Sequence, residues 1–384
     1  MSSTSPERPS FPREADFAAP CDLAPLLAAV AAMTFPGRDA SDPVRLMEVC
    51  GTHTMAIARA GLRQLLPPTV RLISGPGCPV CVTPAGALDE VLRIARLPGV
   101  LVASYGDLLR VPGSRPGARP NTLNDCRAAG ADVRVVYSAM DAVALARQNP
   151  RKTVVFLGVG FETTAPGTAA SLLAARDAGL TNYTVLCLLK QTPPALRALL
   201  ADPACRIDGF LCPGHVATIL GADAFGFLPA RYRIPAVVAG FEGGDLAAAI
   251  YALCRQISTG RPALENEYTR AVRPKGNPAA RAVLAQVFAP ADDIWRGLGP
   301  IPQSGYALRP AFAAHDAAKR FGFAPQNREQ ATGCRCGEVL KGLLEPARCP
   351  LFGKACRPDD PVGPCMVSGE GACAAAFKYR GLPV

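Results

Sequence analysis

Residues 44–84 read VRLMEVCGTHTMAIARAGLRQLLPPTVRLISGPGCPVCVTP, and this stretch carries the pattern that determines the predicted fold class. Two short apolar runs, 44–49 and 70–73, enclose a helical pattern over 55–66. Short, nearly all-apolar strands that alternate with helices are typical of parallel sheets covered on both faces. Functional side chains in such folds gather at the carboxyl ends of the strands, and here cysteines follow both strands.

The same alternation continues to about residue 260 and predicts an α/β protein. The strands could form one large sheet or two smaller ones, and we expect two lobes with parallel sheets flanked by helices. The predicted strands are 44–49, 70–73, 100–104, 133–137, 153–157, 183–187, 209–211 and 236–239. The predicted helices are 23–33, 55–66, 85–96, 140–148, 168–178, 194–200 and 245–257.

The domain boundaries follow from changes in this pattern. After residue 262, one helix over 279–288 and one strand within 297–310 are expected. The segment from residue 334 onward has too many Gly and Pro for long helices, so it would need a metal centre or disulfides to fold. The predicted domains are a flexible tail at 1–20, a first lobe at 21–135, a second lobe at 136–262 and a cysteine-rich domain at 263–384.

Composition and charge restrict the class of function. The 41 Lys and Arg outnumber the 31 Asp and Glu and give a formal charge of +10, but the basic residues are scattered. This distribution favours acidic protein partners and argues against nucleic acid. Residues 1–20 lack the apolar core of a signal peptide, and no apolar run approaches the roughly 18 residues that cross a bilayer. We therefore expect a cytoplasmic protein with no membrane partner, in which an odd number of mostly reduced cysteines favours metal and redox chemistry.

Cys50 stands at the end of a predicted strand, and a helix is expected to begin near Thr54. A helix N-terminus lowers the pKa of a thiol, which would make Cys50 a better metal ligand or nucleophile. His53 could act as a ligand, a proton donor or an orienting group. The alternative is a buried cysteine followed by capping polar residues.

Cys78 and Cys81 form a C-x-x-C motif after the next strand, flanked by glycine and proline. This spacing suits a dithiol–disulfide couple or half of a zinc site, although no second close pair lies nearby in the sequence. Because both motifs follow strands, Cys50 can approach the pair in one cleft.

Other polar residues also follow predicted strands. Asp107 could act as an acid or base, with a turn cap as the alternative, and His215 is a candidate because the chain has only three histidines. The motif LGVGFETTAPGTA (157–169) lacks the lysine of a P-loop and one glycine of a dinucleotide site. Glu162 and Thr163 are therefore expected to line a cleft and not to bind phosphate.

Six of the fifteen cysteines lie within residues 334–384, with the spacing C-x-C-x12-C-x6-C-x8-C-x7-C. Four thiolates can bind a [4Fe–4S] cluster, and two remain for a redox pair. A module held only by disulfides is the alternative. Two separate sulfur sites in one chain indicate electron transfer between them. The six are Cys334, Cys336, Cys349, Cys356, Cys365 and Cys373.

Seven motifs, in one order, resemble the HypD family of hydrogenase formation proteins. The resemblance extends from about residue 22 to the end, with a looser match at AAAFKYR (374–380), where the family has larger aromatic residues. The motifs are MEVCGTHT (47–54), SGPGCPVCVTP (74–84), SYGDLLRVPGS (104–114), LGVGFETTAPGTA (157–169), CPGHVATI (212–219), AGFEGGDLA (239–247) and the run of CRCGEVLKG (334–342), CPLFGKAC (349–356) and PVGPCMVSGEGAC (361–373).

The resemblance implies two α/β lobes, a [4Fe–4S] domain and a redox-active assembly scaffold, as distinct from a conventional turnover enzyme. Such a scaffold builds the Fe(CN)2CO unit of [NiFe]-hydrogenases, holding iron together with a HypC-type chaperone and receiving cyanide from a HypE-type donor. The positions that match functional residues of the family are Cys50, Cys78 and Cys81, which are associated with iron, and His53, Asp107, His215 and Glu370.

The cysteine-rich domain resembles ferredoxin–thioredoxin reductase, in which a cluster lies beside a disulfide and passes electrons to it. This resemblance implies that Cys336 and Cys365 are the redox pair and would pass electrons on to the C-x-x-C motif. It implies that the cluster ligands are Cys334, Cys349, Cys356 and Cys373.

Two other functions stay open on the sequence alone. One is a free-standing iron–sulfur thiol–disulfide reductase that acts on protein disulfides, and the other is a zinc-stabilised binding module without redox chemistry. A reductase needs only the dithiol, whereas the scaffold also needs Cys50. Absorption separates the zinc module, because zinc is colourless and a [4Fe–4S] cluster is brown.

Overall fold

The computed structural model describes residues 23–115, 117–326 and 332–380. The predicted tail at 1–20 lies outside these ranges. The strands are β1 (Val44–Glu48), β2 (Val70–Ser74), β3 (Val100–Ser104), β4 (Asp132–Val135), β5 (Thr153–Gly160), β6 (Tyr183–Leu189), β7 (Gly209–Pro213), β8 (Ala236–Ala239), β9 (Leu264–Asn266), β10 (Phe288–Trp295) and β11 (Gly299–Leu308).

Short helices connect these strands, and single 3₁₀ turns cover Gly106–Arg110, Ala222–Phe225, Pro310–His315 and Pro346–Arg348. The α-helices are α1 (Ala24–Ala31), α2 (Gly51–Arg59), α3 (Leu62–Leu65), α4 (Pro79–Val82), α5 (Ala85–Ala95), α6 (Leu123–Ala128), α7 (Ala139–Gln148), α8 (Ala165–Asp177), α9 (Thr192–Ala201), α10 (Gly214–Leu220), α11 (Phe227–Tyr232), α12 (Gly243–Thr259), α13 (Pro278–Val287), α14 (Ala317–Phe321), α15 (Cys336–Leu340), α16 (Pro364–Val367) and α17 (Ala372–Lys378).

Two parallel sheets flanked by helices confirm the predicted α/β class. The first sheet has the strand order β2-β1-β7-β8-β9, and the second has the order β4-β3-β5-β6. Every pairing within both sheets is parallel. All eight predicted strands are present. Within the described ranges, no helix is both long enough and apolar enough to span a membrane.

The sheets divide the chain differently from the predicted lobes. β1 pairs with β2 on one side and with β7 on the other, so that Leu46 lies opposite Gly209. The chain therefore leaves the first sheet after β2, builds the second sheet and returns to the first. From here on, the first lobe is the first sheet with its helices, and the second lobe is the second sheet with its helices. The boundary predicted at residue 135 is therefore wrong. Strands and helices alternate in the same way wherever the chain passes from one sheet to the other, so the local sequence pattern does not show which strands pair.

The predicted start of the third domain at residue 263 is also too early. β9 belongs to the first sheet, α13 packs on α8, and the antiparallel β10–β11 hairpin lies against β6 and α9. What remains as a separate cysteine-rich segment is 332–380. Its longest helix, α17, has seven residues, as the Gly and Pro content predicts.

Both faces of the first sheet are buried, and one of them carries the cysteines. Leu46 and Leu72 point into a cluster with residues of α12. Met47 and Ile73, one residue further along each strand, point to the opposite face. That second cluster also contains Cys78, Cys81, Cys336, Cys356, Cys365 and Cys373. The cysteine-rich segment thus packs directly on the core of the first lobe.

Candidate functional site

The candidate site begins where four neighbouring strands of the first sheet end. Cys50 follows β1, the loop with Cys78 and Cys81 follows β2, His215 lies in the first turn of α10 after β7, and Phe241 follows β8. These strands are adjacent in the order β2-β1-β7-β8. Parallel strands bring their carboxyl ends to one edge, so residues far apart in sequence meet there.

The loops that carry Cys50 and Cys78 are in direct contact. The Gly51 N–H donates to the Gly77 carbonyl at 2.9 Å. A Cβ atom on Gly77 would lie 2.3 Å from the Cys50 nitrogen, so only glycine permits this approach. The sequence prediction that the C-x-x-C motif and Cys50 share one cleft therefore has a backbone basis.

Cys50 is the N-cap residue of α2, which begins at Gly51 and so earlier than expected. Burial raises the pKa of the Cys50 thiol to about 11. The Glu370 carboxylate raises this pKa further, whereas the hydrogen bond from the His53 N–H lowers it. The N–H groups at the start of α2 do lower this pKa, as predicted, but burial has the larger effect and the net shift is upward.

His53 is held in an aromatic stack beside this loop. Its ring lies 4.8 Å from Phe241, and Phe241 stacks on His215 at 3.8 Å between centroids. Nε2 lies 3.2 Å from the Ala239 carbonyl oxygen, which can only accept, so Nε2 carries the proton. Nδ1 is buried and has no hydrogen-bond partner within the described ranges. Burial lowers the pKa of His53 to about 4, so the ring is neutral and Nδ1 is a free acceptor.

The segment 364–370 connects the two lobes at the site. The Ser368 hydroxyl donates to Asp107 Oδ2 at 3.0 Å, and the Glu370 N–H donates to Ser368 Oγ at 3.2 Å. The Thr52 hydroxyl then donates to Glu370 Oε1 at 2.7 Å. We call this series, from Asp107 to Thr52, the lobe clasp. It brings Asp107 of the second lobe and Glu370 of the cysteine-rich segment to the Cys50 loop.

Five cysteine side chains form a continuous series of thiol contacts. In addition to burial, neighbouring thiols shift one another's pKa along this series: Cys334 and Cys336, Cys336 and Cys365, Cys365 and Cys81, and Cys81 and Cys78. The Cys81 N–H also donates to Cys78 Sγ at 3.3 Å. We call this series the thiol chain. Burial holds the pKa of Cys81 well above its ordinary value, and all the cysteines in the described ranges are free.

One cavity is lined by all six carboxyl-terminal cysteines and otherwise by apolar side chains. Its further lining residues are Val339, Leu351, Phe352, Gly363 and Met366. Sulfur donors in an apolar cavity are the chemistry that iron–sulfur clusters require, so the donor set fits a [4Fe–4S] group. Across the described ranges, no three His, Cys, Asp or Glu side chains are already gathered closely enough to hold a single metal ion.

Glu162 does not line a cleft, contrary to the prediction. It is 1% exposed and accepts hydrogen bonds from the Thr192 N–H at 2.7 Å and the Thr192 hydroxyl at 2.9 Å. Glu162 therefore stabilises the first residue of α9 through these hydrogen bonds. Thr163 is exposed. Burial raises the pKa of Glu162 to about 7.

Sequence reasoning missed three residues that hold the site together. Phe241 separates the two histidines, while Thr52 and Ser368 complete the lobe clasp. All three lie inside quoted motifs, but phenylalanine, serine and threonine carry no signal of their own. Their part becomes visible only when the strand ends are brought together.

Comparison with known proteins identifies the family. The family described as "HypD: Hydrogenase formation hypA family" matches residues 26–380. The hydrogenase maturation factor HypD of Rhodobacter capsulatus is 47% identical over 350 residues, covering 90% of this chain and 92% of the relative. That of Escherichia coli K12 is 46% identical over 342 residues, covering 89% and 90%. The chain therefore belongs to the HypD family of hydrogenase maturation factors.

Proposed function

We propose that the protein is a redox-active scaffold that assembles the Fe(CN)2CO unit of [NiFe]-hydrogenases. In this proposal it holds the iron together with a HypC-type chaperone and receives cyanide from a HypE-type donor. Family membership supports the general role in hydrogenase maturation. The observation that carries the redox part is the thiol chain, because it links the cluster-type cavity to the C-x-x-C motif without a break.

The order of contacts along the thiol chain suggests the route of the electrons. Starting from a Cys78–Cys81 disulfide and a Cys336–Cys365 dithiol, the Cys365 thiolate attacks the Cys81 sulfur, and Cys78 leaves as a thiolate that takes up the proton. Cys336 then attacks Cys365 and releases Cys81. The products are a Cys78–Cys81 dithiol and a Cys336–Cys365 disulfide, so two electrons move and no external oxidant is needed.

A [4Fe–4S] group bound in the six-cysteine cavity would supply the electrons that return Cys336 and Cys365 to the dithiol. All six cysteines line that cavity. The resemblance to ferredoxin–thioredoxin reductase is what assigns the role of ligands to Cys334, Cys349, Cys356 and Cys373 and leaves the other two as the redox pair. Both members of the redox pair influence the pKa of Cys81, and the effect of Cys365 is the larger. The protein's own residues thus separate the holding of the group from the transfer of electrons.

Iron is the cargo in this proposal and would be held by Cys50, Cys78 and Cys81. Soft thiolates suit low-spin iron that carries cyanide and carbonyl. His53 presents a neutral acceptor nitrogen near Cys50, while Asp107, His215 and Glu370 are solvent-exposed around the same loop. These groups can accept or deliver protons while a partner protein covers the cleft.

A free-standing thiol–disulfide reductase is the second candidate, because the thiol chain alone would serve it. The two functions differ in their need for Cys50, which lies outside the thiol chain. The Cys50 backbone is nevertheless in close contact with the C-x-x-C loop, a contact that the missing side chain of Gly77 permits. That approach has no purpose in a reductase, and it supports the scaffold.

Thiol trapping tests the proposed relay. Cys336→Ser should leave the Cys78–Cys81 disulfide able to form and slow its reduction when a low-potential reductant is supplied, as followed by mass spectrometry. Cys205→Ser is the matched control, since the Cys205 thiol donates to the Lys341 carbonyl at 3.7 Å and does not belong to the thiol chain. Equal rates in wild type and Cys336→Ser would rule out the relay and leave Cys78 and Cys81 as plain metal ligands.

A further inference from the structure

Arg296 is a charged side chain buried beside the cysteine cavity. It follows β10 and is 1% exposed. Its N–H donates to the Val82 carbonyl at 2.8 Å, and its Nε donates to the Thr83 carbonyl at 2.9 Å. The first bond ties the backbone of Arg296 to the end of α4, which carries Cys81, and the second holds the guanidinium beside it.

The charge of Arg296 lacks a described partner. Its Nη2 is buried and makes no hydrogen bond to any residue within the described ranges. No carboxylate there forms an ion pair with it either: the buried ion pairs of the molecule involve other cations, such as Lys190 with Asp293. A buried cation without an anion is strongly destabilising, so the structure calls for negative charge at this place.

The surroundings of Arg296 restrict what that anion can be. The next residue, Gly297, packs on Gly337, which follows Cys336: a Cβ on Gly297 would lie 2.5 Å from the Gly337 Cα. A hydrogen bond with Cys336 and burial raise the pKa of Cys334, and the charge of Arg296 opposes that shift. The cavity that Cys334 and Cys336 line contains no carboxylate among its lining residues. The six cysteines are therefore the groups among the described lining residues of this cavity that can become anionic.

We propose that Arg296 is a positioning residue that compensates the negative charge of a four-thiolate metal centre in the six-cysteine cavity. This inference rests on the proposed function, because it takes the [4Fe–4S] group as the centre. Four thiolates around such a group leave it with net negative charge, and reduction by one electron increases that charge. A fixed, water-excluded cation beside it favours both assembly and the reduced state.

The reduction potential of the reconstituted cluster tests the role of the charge. Arg296→Gln keeps an amide N–H that can donate to Thr83 but loses the charge, whereas Arg296→Lys keeps the charge. The potential should become more negative in Arg296→Gln and stay close to wild type in Arg296→Lys. Arg335→Gln is the matched control: Arg335 stands between Cys334 and Cys336 in sequence, but it is exposed and paired with Glu338. Its loss removes the same charge and should leave the potential unchanged.

The possible outcomes separate this inference from the proposed function. A wild-type protein that takes up no cluster would refute both the proposed function and this inference. A wild-type cluster with the same potential in Arg296→Gln, or an equal shift in Arg335→Gln, would overturn the inference alone. If Arg296→Gln takes up no cluster while Arg296→Lys does, the charge requirement is upheld. Loss of the cluster in both variants would show that packing, and not charge, is what Arg296 supplies.

Discussion

The side chain of Cys50 stands apart from the thiol chain although its backbone touches the Cys78 loop. In addition to burial, the negative charge of the Glu370 carboxylate raises the Cys50 pKa. A cation bound at Cys50 would reverse that influence, because a carboxylate stabilises positive charge. The pairing of Cys50 with Glu370 thus suits a metal better than it suits a reactive thiolate.

Replacement of Cys50 by alanine should therefore separate the two sulfur sites. Cys50→Ala removes a ligand for the iron cargo and leaves the six-cysteine cavity untouched, so the infrared bands of cyanide and carbonyl should disappear from the complex with the HypC-type chaperone while the cluster absorption stays. Cys205→Ala serves as the control and should keep both signals. Persistence of the infrared bands in Cys50→Ala would contradict the role given to this residue.

Glu162 gives the stability of the protein a dependence on pH. Its pKa is about 7 in the folded protein, against an ordinary value of 4.5, because it is buried. The folded state therefore holds a proton that the unfolded state loses between these values. The contribution of Glu162 to the free energy of unfolding is therefore fully present below pH 4.5. It decreases by about 3 kcal/mol as the pH rises to 7.

Replacement of Glu162 by glutamine should remove this dependence. The difference in thermal unfolding temperature between Glu162→Gln and wild type should shift in favour of the variant as the pH is raised from 5 to 8. The comparison of the two proteins cancels the titration of all other groups. A difference that stays constant over this pH range would show that Glu162 titrates normally.

At the scale of elements, the close approach of two loops depends on Gly77. A methyl group there would overlap the Cys50 backbone nitrogen, which cannot yield as a flexible side chain would. Gly77→Ala should destabilise the protein by about 1–3 kcal/mol and disturb the Cys50 loop.

Gly167→Ala provides the opposite case for the same chemical change. Gly167 lies inside α8, and a Cβ there would meet nothing within 4 Å. Alanine should stabilise that helix by about 0.5–1 kcal/mol. Chemical denaturation of both variants tests the pair, and a Gly77→Ala protein as stable as Gly167→Ala would refute the tight contact.

Helix starts were the least predictable part of the elements. α8 begins at Ala165 and α9 at Thr192, in both cases before the predicted first residue. Both helices have proline in their first turn. The prediction left the proline of α8 outside the helix and took a proline of α9 as its first residue. Proline fits the first helical positions, so both helices can begin earlier. The interruption of the helix predicted over 55–66 is due to Gly61, which adopts a left-handed conformation between α2 and α3.

At the scale of the whole molecule, the cysteine-rich segment has little structure of its own. Its helices are short, and its buried residues, such as Cys336 and Met366, belong to the core of the first lobe. A metal centre would thus stabilise both the segment and its packing on the first lobe.

Cys356→Ala should lose iron and make residues 332–380 sensitive to protease. Cys126→Ala, which removes a thiol buried in the second lobe, should leave that segment resistant. A protease-resistant segment in Cys356→Ala without iron would contradict this.

The strand ends could be predicted from the sequence, but not the partition of the sheets. Apolar runs mark β1, β2, β7 and β8 individually, and the polar residues after them are visible as candidates. Which runs pair depends on contacts between distant parts of the chain, and local periodicity contains no such information. The meeting of Cys81 with Cys365 is of the same kind, since it depends on where the last segment packs.

The interrupted first sheet has a consequence for synthesis on the ribosome. β1 needs β7 as a neighbour, and the bond from the Arg45 N–H to Asp208 spans 163 residues. The four strands of the second sheet are contiguous in sequence and can pair as they emerge, whereas β1 and β2 must wait for a strand made much later. Until then the Cys50 and Cys78 loops lie on an unfinished edge. Nascent chains should therefore bind no iron before β7 has left the exit tunnel.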